Sequence, residues 1–162
     1  MVRRSDLSVV FDGSLFADYH QFYLADEIAK LPEMEYTAAD LRARIVTSEQ
    51  GLVVFTVRNM DVQVRVELHG EQPRIDREQA DADHVVMGSF RTSGRIVIAG
   101  LSDWVPNAAR ASVPPGTLCA MVVFTGLDTL SQDGLDGDDR YVVHLWPGER
   151  IGVTVWRQWE GG

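Results

Sequence analysis

A chain of 162 residues, 45% apolar and 24% charged, is one ordinary domain's worth of sequence, long enough to bury a core without disulfides or structural metals. The formal net charge of −9 argues against DNA, RNA and anionic lipid as partners, because such binders need a basic face to displace counterions from phosphate; a basic protein partner is favoured instead. No apolar stretch approaches the roughly 18 to 20 residues that cross a bilayer, so no membrane association is expected and a cytoplasmic location is.

In chain order, residues 7–11 and 19–24 read as the first strands, and residues 26–31 fit a single turn. Thr37-Ala38-Ala39-Asp40 has the spacing of a capping box and precedes Leu41 and Ile45 at i, i+4, which predicts one short helix over 38–46. Residues 52–57 are nearly all apolar and rich in β-branched side chains. Residues 62–68 alternate strictly, with Val62, Val64, Val66 and Leu68 on one face and Gln63, Arg65 and Glu67 on the other. Arg58-Asn59-Met60-Asp61 supplies a turn between these two runs, so they are expected to form a hairpin. A second hairpin is expected from 84–90 and 95–99 around Thr92-Ser93-Gly94, with Gly94 at a positive φ. Residues 117–124 follow Pro114-Pro115-Gly116, suited to the corner of a type II turn, and Pro147-Gly148-Glu149 separates 140–146 from 151–159. The whole predicts a single all-β domain over residues 1–162: an antiparallel two-sheet sandwich, jelly-roll-like, of about nine strands. Long edge strands in such a sheet leave room for a homodimer.

Chemistry-bearing residues are sparse. Cys119 lies inside the apolar run 118–124 and is expected to be a buried free thiol. His20, His69, His84 and His144 are scattered singly, with no H-x-x-x-H or H-x-H pair, so neither a zinc site nor any other cofactor is expected. No nucleophile elbow, P-loop or dinucleotide fingerprint is present, and a non-catalytic protein is expected; an enzyme lacking a short signature would need a pocket in which a carboxylate meets His20, His84 or His144. The segment 128–139 carries Asp128, Asp133, Asp136, Asp138 and Asp139 with no basic residue, which fits a patch for a basic protein, a calcium loop, or a solvated connection. A second acidic stretch, 71–83, carries five carboxylates against Arg74 and Arg77 and reads as a solvated segment. Aromatic residues gather at Tyr19-His20-Gln21-Phe22-Tyr23, where strand alternation would place Tyr19, Gln21 and Tyr23 on one side. Trp146, Trp156 and Trp159 form a second group.

Asp18-Tyr19-His20-Gln21-Phe22, Met34-Glu35-Tyr36-Thr37, Val113-Pro114-Pro115-Gly116 and Asp139-Arg140-Tyr141-Val142-Val143 occur in this order along nearly the whole chain. The combination resembles the competence protein J family, small bacterial proteins whose best known member inhibits the DNA-entry nuclease of transformation. The resemblance implies stoichiometric inhibition of a nuclease or other basic enzyme, as immunity-type proteins do, by occupying its substrate cleft. Charge alone then selects Asp133, Asp136, Asp138 and Asp139 as partner contacts, with Tyr19 and His20 as secondary candidates. The rival expectation is a sandwich that binds a small molecule, a sugar or calcium through its end loops.

Overall fold

The computed structural model describes residues 7–29, 35–74, 76–101 and 108–161. Eleven strands and two short helices follow in the order β1 (Ser8–Phe16), β2 (Gln21–Asp26), α1 (Ala38–Ala43), β3 (Ile45–Ser48), β4 (Gly51–Phe55), β5 (Asp61–Leu68), α2 (Arg77–Asp81), β6 (His84–Thr92), β7 (Arg95–Gly100), β8 (Ala109–Ser112), β9 (Gly116–Thr125), β10 (Arg140–Pro147) and β11 (Thr154–Arg157). The strands form a six-stranded sheet, β1-β5-β10-β9-β6-β11, and a five-stranded sheet, β3-β4-β2-β7-β8. Among the described residues no helix is long and apolar enough to cross a membrane.

One apolar cluster draws on both sheets. Val62, Val64 and Val66 of β5, Val122 and Phe124 of β9 and Tyr141 and Val143 of β10 share it with Phe22 and Leu24 of β2, Val54 of β4 and Ile96 and Ile98 of β7. The alternation read in 62–68 holds, since all three of its valines are at most 1% exposed. Each such side chain contributes about 1.5–3 kcal/mol on leaving water. Two smaller clusters cover the outer faces: Val85, Cys119, Met121, Val123, Val142 and Trp146 on the first sheet, and Tyr23, Val53, Phe55 and Val97, with Tyr36 packed on them, on the second. Cys119 is buried as expected; its thiol donates to the Glu149 carbonyl at 3.0 Å, and burial pushes its pKa up.

Several expectations are corrected. Eleven strands replace nine because β3 and β8, four residues each, border the second sheet and were too short to signal themselves. The arrangement is not wholly antiparallel: β10 runs parallel to β5, with Glu67 opposite His144. Neither expected hairpin forms. β4 lies in the five-stranded sheet and β5 in the six-stranded one. The reason is visible in burial: all five residues of β4 are buried, as a strand flanked on both edges and covered on both faces requires, whereas β5 keeps one polar face. β6 and β7 likewise belong to different sheets. Gly94 does take a positive φ, +120°, but it carries the chain from one sheet to the other.

That second crossing is tied by Asp26 at the end of β2. Its carboxylate accepts from the Thr92 hydroxyl (2.7 Å), the Ser93 amide (2.7 Å), the Ser93 hydroxyl (2.8 Å) and the Ile28 amide (3.4 Å). Burial works against the charge, yet these hydrogen bonds outweigh it and hold the carboxyl below its usual range. The helix α1 has the expected capping box between Thr37 and Asp40, but it stops at Ala43, because Arg44 turns left-handed at φ +65° and Ile45 opens β3. The acidic stretch 71–83, expected to be a solvated segment, contains α2, capped by a reciprocal Asp76–Gln79 box.

Candidate functional site

Three connections emerge at one end of the two sheets. Strand register shows this directly: Phe16 pairs with Asp61, Arg140 with both Gln63 and Thr125, and Gln21 with Phe55. The segments 17–20, 56–60 and 126–139 therefore share that end. They are also bonded to one another. The Ala17 amide donates to the Met60 carbonyl at 3.0 Å, the Thr56 amide to the His20 carbonyl at 2.8 Å, and Arg58 reaches the acidic loop at Asp139 and at the Leu135 carbonyl.

Tyr19 and His20 are not on a strand, as the sequence suggested, but in a short left-handed turn that precedes β2. Both adopt positive φ, +57° and +59°, a conformation uncommon for bulky residues. Within β2 the alternation holds, with Phe22 and Leu24 in the central cluster and Tyr23 and Ala25 in the outer one, but it fails at Tyr19, which swings out to 74% exposure while Gln21 to Asp26 are all buried. Local bonds hold the turn: the His20 amide donates to the Ala17 carbonyl at 3.1 Å, and the Gln21 side chain to the Tyr19 carbonyl at 3.3 Å. An exposed aromatic held in a strained backbone is the kind of feature that function maintains.

The loop 126–139 is a built structure. Leu127 anchors it in the core at 2% exposure, and Gly126 begins it at φ +67°, where any Cβ would collide with the Asp138 carbonyl. Across the loop, the Ser131 amide donates to the Asp136 carbonyl (2.7 Å), the Asp136 amide to the Ser131 hydroxyl (3.0 Å), and the Asp138 amide to the Thr129 hydroxyl (2.7 Å). The Ser131 hydroxyl and the Leu135 amide both donate to Asp133, holding its carboxyl below the usual range. Asp133, Asp136 and Asp138 are exposed.

Asp139 is different. Its side chain is 0% exposed and accepts from Arg58 Nε at 2.6 Å and from the Tyr141 hydroxyl at 2.8 Å. Tyr141 in turn accepts from the Val57 amide at 2.9 Å, and its phenol is pushed far above its ordinary pKa by burial and by the adjoining carboxylate. Asp139 therefore fastens the loop to the 56–60 turn and offers no free carboxylate. The structure gathers Tyr19, His20, Asp133, Asp136 and Asp138 at one end and puts Asp139 beneath them.

The aspartates do not converge as a calcium site requires. Among the described residues, the one group of three whose ligand atoms lie within 4.8 Å of one another is Glu67, His69 and His144. His69 and His144 sit 75 residues apart in sequence, so no local spacing pointed to them; the parallel pairing of β5 with β10 brings them together. His84 is satisfied internally, Nε2 donating to the Ala43 carbonyl at 2.8 Å and Nδ1 accepting from the Trp159 amide at 3.0 Å, and burial lowers its pKa. Trp159, flagged only as an aromatic, packs under Arg44, whose guanidinium carbon lies 5.3 Å from its ring centroid.

No protein-family model and no curated protein sequence matches the chain. Solved structures do. The crystal structure of ComJ from Bacillus subtilis, an inhibitor of the DNA-degrading activity of NucA, superimposes with a TM-score of 0.65 over 88% of this chain and 98% of that one. The fold is ComJ-like. Sequence identity with ComJ is 15%, so the likeness rests on topology, and it bears out at the level of fold the resemblance seen in the sequence. A second protein with this fold, the product of crocagin biosynthetic gene J, superimposes with a TM-score of 0.59 and 19% identity over 88% of this chain and 99% of that one.

Proposed function

We propose that this protein is a stoichiometric, non-catalytic inhibitor that binds a basic protein, in the first instance a nuclease, through the end of the molecule formed by segments 17–20, 56–60 and 126–139. The observation that carries the reading is the rigid acidic loop. Three exposed carboxylates, Asp133, Asp136 and Asp138, stand on a hairpin connection whose backbone is already bonded internally, so little ordering entropy is lost on association. A nuclease presents a basic groove to phosphate, and fixed carboxylates compete for that groove as the phosphate backbone does. Tyr19 supplies what charge cannot: a large, exposed aromatic contact at the same end of the molecule as the anionic patch. The ComJ-like fold supports a protein partner, since ComJ itself inhibits a nuclease. Asp139 acts here through the loop it anchors.

The experiment is a pull-down with the tagged protein from lysate of its source cells at low and high salt, followed by titration of the retained protein in a plasmid-degradation assay. A basic nuclease retained at low salt, released at high salt and silenced at one equivalent supports the proposal. An eluate empty at both salts, or a retained enzyme whose activity is untouched, overturns it.

A further inference from the structure

On the outer face of the six-stranded sheet, at the end opposite the acidic loop, four side chains converge. His69 Nε2 and His144 Nδ1 are 3.0 Å apart, and Glu67 Oε1 lies 3.4 Å from the first and 3.5 Å from the second. We propose that Glu67, His69 and His144 form a binding site for a single divalent transition metal of the zinc class, with the fourth coordination position open.

The triangle has the dimensions such an ion demands. A tetrahedral site with metal–ligand bonds of about 2.0–2.1 Å has ligand-to-ligand edges of roughly 3.3 Å, which the three measured separations bracket. Two imidazoles and one carboxylate select a zinc-like ion over calcium or magnesium, which take oxygen donors. The supporting shell is also present. His144 Nε2 bonds Glu78 Oε1 of α2 at 2.9 Å, and the second oxygen of Glu67 accepts from Arg65 Nε at 2.7 Å. A ligating histidine whose other nitrogen donates to a carboxylate is the usual arrangement at metal centres. The backbone fixes the geometry: Glu67 and His144 are directly opposed in the parallel β5–β10 ladder, and the His69 amide continues that ladder to the Leu145 carbonyl at 2.7 Å.

Protons leave the cluster poorly satisfied. With His144 donating from Nε2 to Glu78, its Nδ1 lone pair faces the Glu67 carboxylate, and the hydrogen on His69 Nε2 can serve only one of them fully. A cation in the triangle satisfies all three lone pairs. His69 then carries its hydrogen on Nδ1, so the ring stays neutral and no net proton is lost. Side-chain exposures of 17% for His69, 12% for Glu67 and 5% for His144 leave an approach from the His69 side. A proton shared within the triangle is the rival occupant.

Calorimetric titration of the chelator-treated full chain with Zn2+ alone separates the two. One equivalent is expected to bind and raise the midpoint of thermal unfolding. Co2+ in its place should give the intense visible bands of a tetrahedral site. His69→Gln and Glu67→Gln should abolish the Co2+ bands while leaving the far-ultraviolet circular dichroism unchanged. Glu78→Gln, which removes no ligand atom but takes away the carboxylate that His144 Nε2 meets, should weaken binding about ten- to a hundredfold. Asp133→Asn, at the far end, should have no effect. Absence of a one-equivalent transition, octahedral Co2+ bands, or binding that survives His69→Gln would overturn the site. Because the readout is metal binding itself, neither outcome bears on the inhibitor reading.

Discussion

Strand β10 carries two polar clusters, and they are built on opposite plans. Near its start, Tyr141 points inward and joins Asp139 and Arg58 in a closed group in which the carboxylate and the phenol are both bonded and buried. Three residues on, His144 points outward and joins Glu67, His69 and Glu78 in a group whose lone pairs face one another and whose rim reaches solvent. The closed cluster spends its polar groups on holding the acidic loop in place. The open one keeps coordinating atoms for something else. Polar burial alone does not distinguish scaffold from site; what does is whether the groups present satisfy one another.

The sharpest way to break this contrast is at the closed cluster. Arg58→Met leaves Asp139 charged, buried and short of a partner, and is expected to cost about 3–5 kcal/mol in urea unfolding. Asp139→Leu should cost a similar amount, while the double variant should lose much less than the two singles together. Singles costing under about 1 kcal/mol would mean the pair is screened and the loop is held by other contacts. His69→Gln in the open cluster, measured without metal, is the matched control and should fall within about 0.5–1 kcal/mol of the parent.

A smaller effect is expected at Asp26, a second closed group. Asp26→Asn removes the charge that four donors converge on, and should cost about 1–3 kcal/mol at neutral pH. Its folded carboxyl titrates below the ordinary value of 3.8, so its contribution is complete above that pH and is lost as pH falls through the lower folded value. Acid titration of unfolding should therefore be shallower below pH 3.8 for the variant than for the parent. Parallel acid limbs would show that other carboxylates govern acid stability.

Tyr19 tests the opposite sign. It is 74% exposed and held at φ +57°, a conformation that costs a non-glycine residue about 1 kcal/mol or slightly more. Tyr19→Gly should leave stability unchanged or raise it by up to about 1 kcal/mol, once the greater freedom of the unfolded glycine is set against the relieved strain. Loss of affinity for the captured partner together with undiminished stability would mark the residue as a contact. A clear loss of stability would assign it to the scaffold.

These comparisons also show what a linear reading reaches. Period-two alternation in 62–68 and the capping box at Thr37–Asp40 are local, and both appear in the fold as read. Proximity in sequence misled at 52–68 and 84–99, where turn residues between two apolar runs serve as crossings between sheets; neighbouring strands pair often but not always, and no local signal marks the exceptions. Tyr19 and His20 were legible as candidates, yet the left-handed turn that exposes them depends on bonds to Thr56 and Met60, some 40 residues away. The spacing of Asp133, Asp136, Asp138 and Asp139 gave charge but not burial, and Asp139 is inward because Arg58 and Tyr141 meet it there. The histidine cluster was the least accessible, because a parallel β5–β10 pairing leaves no imprint on the spacing of His69 and His144.

The remaining contrast lies within the acidic loop, between the buried Asp139 and the exposed Asp133, Asp136 and Asp138. Replacing the three exposed aspartates by asparagine removes three negative charges without touching the Arg58 anchor. Asparagine retains a side-chain oxygen for the Ser131 and Leu135 donors at position 133, so stability should stay within about 0.5 kcal/mol of the parent. Binding kinetics should respond. Long-range attraction between the loop and a basic groove accelerates encounter and is screened by salt, so the triple variant should associate more slowly at low salt and approach the parent as ionic strength rises beyond about 0.15 M, where the screening length is about 8 Å. Dissociation should change less, because it reports short-range packing such as that of Tyr19. Surface plasmon resonance against the captured nuclease reads both rates. Association unchanged at every salt concentration would remove the loop from the interface, even with the fold and the nuclease target intact.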